Sequence, residues 1–349
     1  MLATLGVVQC HDYEHRMNER IFLTETAFDR WWPDIKQVAP DARPLVARSV
    51  TQPAKQSVIT QRPGNAAEIA WITFDVWESP EQTNAFYTEL VGLTGLKWCH
   101  SGGAGADGPP FDLLASHGTM LSTSHVNAGP AGDFVVRAVL DVLQGAEVWR
   151  TAQKEREWRV HDFREMSMTT WLVVGMGAIG QSVARRANAF GARVIGCKRS
   201  PTGDEPCERM VSAAELLSVV PDADVVVLSA PATSETRLLV DANFLAQMRA
   251  GSILVNVARG SLVDEAALLT ALDVGTPAFA ILDTFVDEPL SSSSPFWSHP
   301  RVVTTPHNAA RGEGNAERAA TVFLDNLSRW RNGEPIENET LTTAQFKNS

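Results

Sequence analysis

Short runs rich in Val, Ile and Leu recur through the middle of the chain, and segments with apolar residues at helical spacing separate them. The runs lack the polar alternation of a half-exposed strand, which is typical of strands covered on both faces in a parallel sheet. They span residues 171–175, 193–197, 224–230, 252–258, 279–285 and 301–305. The alternation of strand and helix patterns from residue 170 to about residue 307 predicts a doubly wound α/β domain.

The rest of the chain has a less regular pattern. AEIAWITFDV and LKWCHSG predict strands and PEQTNAFYTELVGL predicts a helix between them, whereas the first sixty residues, with WWPDIKQVAPDARP, match no element. Residues 315–331 have apolar positions at helical spacing and predict another helix. We therefore expect a discontinuous outer domain, residues 1–125 plus 311–349, that flanks an inserted doubly wound domain, residues 126–310.

Charge and hydropathy limit the partners of this protein. The 349 residues carry a formal charge of −11 with a pI near 5.2, which argues against nucleic acid or an anionic membrane as the main partner. No uncharged apolar run approaches the roughly 18 residues of a membrane span, and the N-terminal LATLGVVQC lacks the basic segment of a signal peptide. We expect a protein of the cytoplasm.

The four cysteines are scattered along the chain. Cys10, Cys99, Cys197 and Cys207 form no CxxC pair and have no histidines at metal-ligand spacing. This usage is typical of a reducing compartment, and it predicts neither a disulfide framework nor a metal site.

The segment VVGMGAIG places three glycines between a predicted strand and a predicted helix. Gly175 permits a tight turn, Gly177 lets the backbone approach a pyrophosphate, and Gly180 lets the helix pack closely on the strand. A phosphate at this position also meets free N–H groups and the positive end of the helix dipole. The glycines alone are compatible with an ordinary turn, but the flanking strands and helix favour a nicotinamide dinucleotide site.

The end of the second strand bears on the ribose of that cofactor. An NAD site usually has an acidic residue there, which hydrogen-bonds the free 2′-hydroxyl, whereas this chain has Lys198, Arg199 and Ser200. Two cations and a hydroxyl suit a 2′-phosphate, which an acidic residue would repel. The alternative is a solvated basic loop. The pattern favours NADP over NAD without excluding NAD.

Three chemically distinct side chains follow later strands of the same domain. Arg259 offers a two-pronged donor for a carboxylate or carbonyl, and His307 offers an imidazole, the side chain suited to proton transfer near neutral pH. Glu288 would orient that imidazole and favour its protonated form. Singly, they have ordinary alternatives as a surface cation, a satisfied histidine and a solvated acid. Together at the strand ends of a nucleotide-binding sheet, they predict hydride exchange with a 2-oxo or 2-hydroxy acid.

In order and spacing, these motifs resemble those of the D-2-hydroxyacid dehydrogenase family, which includes glyoxylate/hydroxypyruvate reductases and phosphoglycerate dehydrogenases. The resemblance covers about residues 67–338 and rests on LKWCHSGGAGAD, VVGMGAIG, VLSAPATSET, NVARGSLVDEAAL, LDTFVDEPL, FWSHPRVVTTPHNAA and FLDNLSRWRNGEP. It implies an α/β fold in which a Rossmann dinucleotide-binding domain is inserted in a smaller flavodoxin-like substrate domain. It also implies a homodimer held through the dinucleotide-binding domains.

The resemblance implies roles for individual residues. Arg259, Glu288 and His307 match the family's substrate arginine, supporting glutamate and acid/base histidine. The implied substrate and cofactor contacts are Ala104 and Gly105 at the carboxylate, Ala178 and Ile179 at the pyrophosphate, Ala230 and Pro231 beside the adenosine, and Val257, Ala258, Asp283 and His307 around the nicotinamide. Three positions depart from the family pattern, because Lys198 replaces the usual acidic residue, Asn308 replaces an apolar one and Asp133 replaces the typical Glu.

The sequence thus predicts an NAD(P)-dependent D-2-hydroxyacid dehydrogenase, with NADPH-driven reduction of glyoxylate or hydroxypyruvate favoured. One alternative is NAD-dependent oxidation of a bulkier D-2-hydroxy acid. Another is a dinucleotide-sensing scaffold of the corepressor type, which would bind partner proteins instead of turning over a substrate. Trp77 and Trp297 are candidates for the wall of the substrate pocket.

Overall fold

The computed structural model describes residues 19–47, 66–106 and 108–339. Cys10 and the N-terminal segment interpreted above lie outside these residues. The described chain divides into two compact units. The outer unit is made of the residues up to Val126 together with those from Glu313 onward, and the dinucleotide unit is Asn127–Gly312.

Twelve strands and ten α-helices are present in the described part of the chain. The strands are β1 (Arg20–Leu23), β2 (Arg43–Val46), β3 (Ile69–Ile72), β4 (Trp98–Ser101), β5 (Met120–Thr123), β6 (Thr170–Val174), β7 (Arg193–Cys197), β8 (Arg209–Val211), β9 (Val225–Leu228), β10 (Ile253–Asn256), β11 (Phe279–Leu282) and β12 (Val302–Thr304). The helices are α1 (Glu25–Val38), α2 (Pro80–Val91), α3 (Pro109–Ser116), α4 (Ala128–Leu143), α5 (Ala146–Glu155), α6 (Ala178–Ala189), α7 (Leu216–Val219), α8 (Ala242–Gln247), α9 (Glu265–Val274) and α10 (Asn315–Asn332). None of these helices is both long and apolar enough to cross a membrane.

The outer unit is built on a five-stranded parallel sheet with the strand order β2-β1-β3-β4-β5. Successive residues of a strand point to opposite faces, and here they enter two different apolar clusters. Phe22 and Ile72 pack on the face covered by α2 and α3, whereas Ile21 and Trp71 pack on the face covered by α1 and α10. The strand order is that of flavodoxin-like sheets.

Helix α10 joins the outer unit through a stack of aromatic rings. The ring of Phe323 lies 4.2 Å from that of Trp71, with 5° between the planes, and 5.5 Å from that of Trp98. All three side chains are almost fully buried. Stacked aromatic pairs add about 0.5–1.5 kcal/mol to the stabilisation from burial, so a helix near the C-terminus packs on strands near the start of the chain.

Residues 19–47 form β1, α1 and β2, although the sequence pattern of this region matched no element. Helix α1 begins after Thr24, whose hydroxyl accepts a hydrogen bond from the N–H of Ala27 at 3.1 Å. Pro33 lies inside the helix, and the two strands are four residues long. Short strands and an internal proline leave too little periodicity for an assignment from sequence alone.

The dinucleotide unit has a seven-stranded parallel sheet with the order β12-β11-β10-β9-β6-β7-β8. Trp171 and Val173 pack on the face that carries α4 and α6, whereas Leu172 and Val174 pack on the face that carries α8 and α9. The chain reverses its direction of winding between β6 and β9, and ligands of such sheets bind at the carboxyl ends of the strands near this point. The predicted doubly wound Rossmann architecture is confirmed.

Strands of this sheet end before their apolar runs end. β9, β10 and β11 stop at Leu228, Asn256 and Leu282, although the runs continue to residues 230, 258 and 285. The residues that follow stay buried but form loops at the carboxyl edge. Strand β8 was not predicted, because three residues are too few for a readable pattern.

Candidate active site

The turn after β6 has a backbone that only glycine fits. Gly175 has φ of 100°, and a Cβ there would lie 2.4 Å from the backbone nitrogen of Ala230. Its N–H donates to the Cys197 carbonyl at 2.9 Å, and its carbonyl accepts the Ser229 hydroxyl at 2.8 Å. The turn is therefore held from the two strands that flank β6.

The first turn of α6 forms a cradle for an anion. A Cβ at Gly177 would meet no atom within 4 Å, whereas one at Gly180 would lie 2.0 Å from the Gly175 carbonyl oxygen. No described side chain caps the helix, and the N–H groups of its first turn, including those of Ala178 and Ile179, have no partner within the helix. Open space at Gly177 beside unpaired donors fits the pyrophosphate of a dinucleotide.

The segment after β7 carries the three residues that the sequence linked to a 2′-phosphate. Arg199 and Ser200 are exposed, whereas Lys198 is partly buried. The ammonium of Lys198 lies 3.3 Å from Oε1 of Glu205, whose side chain is fully buried. Lys198 is thus engaged by a carboxylate of its own segment, and Arg199 and Ser200 are the members of the set that face solvent.

The stretch after β9 begins with Ala230, which is buried, and Pro231, which is exposed. Further along it, Glu235 has a pKa below its usual range. The hydroxyl of Thr233 is the main cause, and the positive charge of Arg199 is a smaller one. Arg199 therefore lies within electrostatic reach of this stretch, although it follows a different strand.

The side chains of Glu288 and His307 are hydrogen-bonded to each other. Nδ1 of His307 lies 2.8 Å from Oε2 of Glu288, and the N–H of Phe285 donates to Oε1 at 3.0 Å. Burial raises the pKa of Glu288, but these two hydrogen bonds and the charges of His307 and Arg259 outweigh burial, so the pKa lies below its usual value. The Glu288 carboxylate is therefore ionised near neutral pH. With Nδ1 engaged, Nε2 is the ring nitrogen that remains for proton transfer.

The loop that carries His307 is held by Asp283, which is buried beyond the end of β11. Oδ1 of Asp283 accepts the Thr305 hydroxyl at 2.6 Å and the Asn308 N–H at 3.0 Å, and both carboxylate oxygens accept the Ala309 N–H. The N–H of His307 donates to the Asp283 carbonyl at 2.8 Å. The Asp283 carboxylate, expected at the nicotinamide, is thus largely occupied by this loop.

Arg259 follows β10 and begins a short 3-10 helix. The buried Asn256 accepts the N–H of Ala258 at 3.0 Å and donates to the carbonyl of Arg259 at 2.9 Å, so its amide fixes the backbone on both sides. A Cβ at Gly260 would lie 1.9 Å from the carbonyl carbon of Phe285. The loop that carries Arg259 therefore packs against the backbone of the loop that carries Glu288.

Ala104 and Gly105 lie in the turn after β4, in the outer unit. The N–H of Gly102 donates to the end of β3 at 2.8 Å, and the N–H of Ser124 donates to the Gly103 carbonyl at 3.1 Å. The N–H groups of Ala104 and Gly105 donate to no other described residue. Two adjacent donors on a turn anchored at its start can hold a carboxylate.

The two tryptophans considered from the sequence have different surroundings. Trp77 ends a 3-10 helix of the outer unit, and a Cβ at Gly103 would approach its ring to 3.2 Å. It thus lies against the turn that contains Ala104 and Gly105. Trp297 is in the dinucleotide unit, is half exposed, and donates its indole N–H to the Ser291 carbonyl at 2.9 Å.

Within the dinucleotide unit, the structure brings Arg259, Glu288 and His307 together on the loops after β10, β11 and β12, three neighbouring strands. Val257 and Ala258 are buried at the start of the first of these loops. Sequence reasoning missed the residues that hold the loops, namely Asn256, Gly260, Thr305, Ser229 and Glu205. A signal existed for Asn256, because an amide at the end of an apolar buried strand needs hydrogen-bond partners.

Comparisons with known proteins show which proteins this chain is similar to. A profile described as D-isomer specific 2-hydroxyacid dehydrogenase, NAD binding domain, matches residues 136–309. Glyoxylate/hydroxypyruvate reductase A of Serratia proteamaculans is 31% identical over 233 residues, 58% of this chain and 74% of that protein. Among solved structures, a D-isomer specific 2-hydroxyacid dehydrogenase family protein of Aeromonas salmonicida has a TM-score of 0.76 at 27% identity, covering 93% of this chain and 99% of that one. The NADPH-dependent glyoxylate/hydroxypyruvate reductase of Sinorhizobium meliloti, in complex with NADP and sulfate, has a TM-score of 0.74 at 25% identity, covering 93% and 98%.

Proposed function

The chain belongs to the D-isomer-specific 2-hydroxyacid dehydrogenase family, and on that premise we propose that it is an NADP(H)-dependent reductase of small 2-oxo acids, with glyoxylate and hydroxypyruvate favoured. Membership in the family makes the chain an NAD(P)-dependent oxidoreductase. The observation that carries the proposal is the His307–Glu288 pair within the electrostatic reach of Arg259. A proton donor and a carboxylate-binding cation are what the reduction of a 2-oxo acid needs beside a hydride source.

The proposed dinucleotide site follows the carboxyl ends of β6, β7, β9 and β10. The N–H groups of Ala178 and Ile179 would hold the pyrophosphate beside the open space at Gly177. When bound, the nicotinamide supplies or takes up the hydride. The further proposed contacts are Gly175 and Gly180 in the turn, Ala230 and Pro231 at the adenosine, and Val257, Ala258, Asp283 and His307 at the nicotinamide.

Arg199 and Ser200 support the choice of NADP over NAD. Both side chains are exposed after β7, at the position where an NAD site has an acidic residue for the ribose hydroxyls. A guanidinium binds a phosphate with two parallel hydrogen bonds, and a nearby hydroxyl adds a further donor. The relative from S. meliloti is named as NADPH-dependent, which also supports this choice.

His307 is the proposed acid and base. Glu288 holds Nδ1, so the imidazole donates from Nε2 to the substrate oxygen during reduction and accepts the proton there during oxidation. The Glu288 carboxylate stabilises the imidazolium that is consumed by reduction and formed by oxidation. Reduction is therefore expected to weaken as pH rises and oxidation to strengthen.

Arg259 and the turn at Ala104 and Gly105 are the proposed anion-binding groups. The guanidinium of Arg259 balances negative charge on the substrate and on the oxygen that is reduced, and such interactions lower the barrier when they strengthen in the transition state. The N–H groups of Ala104 and Gly105 would hold a carboxylate. The Serratia relative is named a glyoxylate/hydroxypyruvate reductase, which supports small 2-oxo acids as the substrate class.

We further propose that the protein self-associates through the dinucleotide unit. Helix α5 and the segment after it expose apolar side chains, with 96% of Trp158, 81% of Val160, 48% of Phe163 and 39% of Trp149 accessible. Exposed apolar clusters of this kind mark interaction surfaces. A second copy of the chain is the proposed occupant, because a two-fold axis lets one such surface cover its own copy.

Steady-state kinetics test the proposed activity. We expect NADPH with glyoxylate or hydroxypyruvate to give a higher kcat/KM than NADH, and both acids to be better substrates than pyruvate or phenylpyruvate. Arg199→Asp should lower the NADPH to NADH ratio of kcat/KM by about a hundredfold, because a carboxylate repels the phosphate that the guanidinium binds. Arg185→Asp, the same charge change on an exposed face of α6, should leave that ratio unchanged.

Three results would contradict this proposal in different ways. Preference for NADH together with phenylpyruvate would favour oxidation of a bulkier D-2-hydroxy acid. An unchanged ratio in Arg199→Asp would remove Arg199 from the phosphate site. Tight NADPH binding with no turnover of any 2-oxo acid would favour a dinucleotide-sensing scaffold.

A further inference from the structure

A buried carboxylate lies beneath the segment that is proposed to bind the 2′-phosphate. Oε1 of Glu205 accepts the N–H of Thr202 at 2.7 Å, the Thr202 hydroxyl at 3.0 Å and the ammonium of Lys198 at 3.3 Å. Oε2 accepts the N–H of Gly203 at 2.9 Å. Two carboxylate oxygens offer about four acceptor sites, so the side chain is satisfied entirely by its own segment.

This arrangement resolves an electrostatic conflict. An acidic side chain so near a bound phosphate would repel it, yet here the negative charge is balanced by Lys198 and turned towards backbone donors. The ammonium of Lys198, in turn, is directed to Glu205. The charges of Lys198 and Glu205 therefore balance each other inside the segment. Arg199 and Ser200 follow Lys198 in the chain, and their side chains are exposed to solvent.

We propose that Glu205 is a positioning residue for cofactor specificity, which holds Lys198, Thr202 and Gly203 and thereby fixes Arg199 and Ser200 where they meet the 2′-phosphate. This inference rests on the NADP(H) use proposed above and assigns Lys198 the role of a tether. Residues 199–206 lie outside helices and strands, and the backbone N–H of Lys198 just before them donates to the Val211 carbonyl of β8 at 3.4 Å. Its shape therefore depends on side-chain contacts. Glu205 accepts from the ammonium of Lys198 and from the N–H groups of Thr202 and Gly203, and it shares the Thr202 hydroxyl with the carboxylate of Asp204.

The protonation state of Glu205 agrees with this role. The N–H of Thr202 is the largest influence on the pKa of Glu205, and together with the Gly203 N–H and the Thr202 hydroxyl it outweighs burial and lowers that pKa to about 2. The carboxylate is therefore ionised throughout the neutral range. Lys198 and the backbone donors keep their acceptor at any pH at which the enzyme works.

Fluorescence titration of the full-length protein with NADPH and with NADH tests the proposal without turnover. Both carboxylate oxygens of Glu205 accept hydrogen bonds. In Glu205→Gln, an NH₂ group replaces one of these oxygens and cannot accept, so at least one hydrogen bond is lost. We expect the Kd for NADPH to rise about tenfold and that for NADH to change less than about twofold. In kinetics, KM for NADPH should rise while kcat at saturation stays unchanged, because the loop lies at the adenosine end. Glu208→Gln, the same substitution at an exposed acid paired with Arg193, should leave both Kd values unchanged.

Lys198→Met distinguishes a tether from a phosphate ligand. As a tether, Lys198 loses its effect once Glu205 is changed, so the double variant Lys198→Met with Glu205→Gln should bind NADPH no more weakly than either single variant. If the Lys198→Met loss is instead the same in both backgrounds, Lys198 contacts the phosphate and the proposal is overturned. Lys198 is partly exposed, and if Glu205→Gln does not fold, Glu205→Asp, which keeps the charge but shortens the side chain, replaces it in both backgrounds of this comparison.

The outcomes also separate this inference from the proposed function. If the Kd values for NADPH and NADH rise in parallel in Glu205→Gln, or if their ratio equals that of the wild type, the role of Glu205 is overturned. Preference of the wild type for NADPH would still support the proposed cofactor. A wild-type protein that binds NADH more tightly than NADPH overturns both. A selective loss of NADPH affinity supports both.

Discussion

His307 has a backbone φ of 49°, in the left-handed region that few residues other than glycine occupy. The cost of that conformation is offset by the Asp283 carboxylate, which binds the backbone N–H groups of Asn308 and Ala309. The imidazole itself is 46% exposed, so packing does not fix it. Its direction is set by the backbone and by the hydrogen bond to Glu288, and the effect of Glu288 should therefore appear in the pH dependence of activity.

Glu288→Gln should lower kcat for reduction and move the decline of reduction with rising pH to lower pH. The amide keeps the size of the side chain but loses the charge that favours the imidazolium. His307→Asn should lower kcat by about 10²–10⁴-fold at every pH, because the proton donor is gone. Initial rates from pH 5 to pH 9 measure both effects.

Asp287→Asn is the matched control, since Asp287 is an exposed neighbouring acid, and its pH profile should equal that of the wild type. An unchanged profile in Glu288→Gln would show that Glu288 does not act through charge.

The lowered pKa of Glu288 also predicts how its contribution to the stability of the fold depends on pH. Because the pKa of Glu288 is lowered from 4.5, the pair stabilises the fold fully above that pH, and this contribution is lost as pH falls below it.

At the scale of secondary-structure elements, β6, its turn and α6 form the unit that creates the anion cradle. The turn is held by β7 through Cys197 and by the stretch after β9 through Ser229. Two glycines of this unit have opposite surroundings, since a Cβ meets open space at Gly177 and backbone at Gly180. One glycine is thus needed for a ligand and the other for packing of the helix on the strand.

Gly177→Ala and Gly180→Ala should therefore affect different properties. Gly177 has φ of −79° and ψ of −163°, which alanine also adopts, so we expect an unchanged Tm without cofactor and at least a tenfold weaker Kd for NADPH and NADH alike. Gly180→Ala forces backbone apart and should cost about 1–3 kcal/mol, a fall of roughly 2–12 °C in Tm. Thermal unfolding with and without NADPH distinguishes them. A lower cofactor-free Tm in Gly177→Ala would contradict the assignment of that space to a ligand.

In each unit of the molecule, one helix packs closely on the rest of the unit: α10 in the outer unit and α4 in the dinucleotide unit. Phe323 of α10 stacks on the outer sheet, and α4 packs against α6 so closely that a Cβ at Gly132 would lie 2.5 Å from the Ser182 hydroxyl. The segment after helix α5 contains Trp158 and Val160. Both side chains are exposed and are not part of a core cluster of the described residues. Among the described large apolar side chains of this unit, Trp158 and Val160 are the most exposed, and this is the reason to expect association.

Trp158→Ser should weaken self-association. A tryptophan at the centre of an interface contributes about 2 kcal/mol or more when truncated, or roughly a thirtyfold change in the dimer Kd. Light scattering after size exclusion should give twice 37.9 kDa for the wild type and a shift towards 37.9 kDa on dilution of the variant. Trp297→Ser removes another half-exposed tryptophan of the same unit and should not shift the mass. A wild type that is monomeric at all concentrations would refute the proposed surface.

By itself, the sequence determined the Rossmann sheet and the three residues gathered at its carboxyl edge. Apolar runs without alternation specify strands covered on both faces, and glycine spacing specifies the turn after β6, because both are local patterns. The tertiary structure alone decided what holds the chemistry in place. Asn256 beside Arg259, Asp283 beside the His307 loop and Glu205 beside Lys198 are identified only by their hydrogen-bond partners. Strands β1 and β2 were equally unreadable, because four-residue strands derive their stability from neighbours in the sheet.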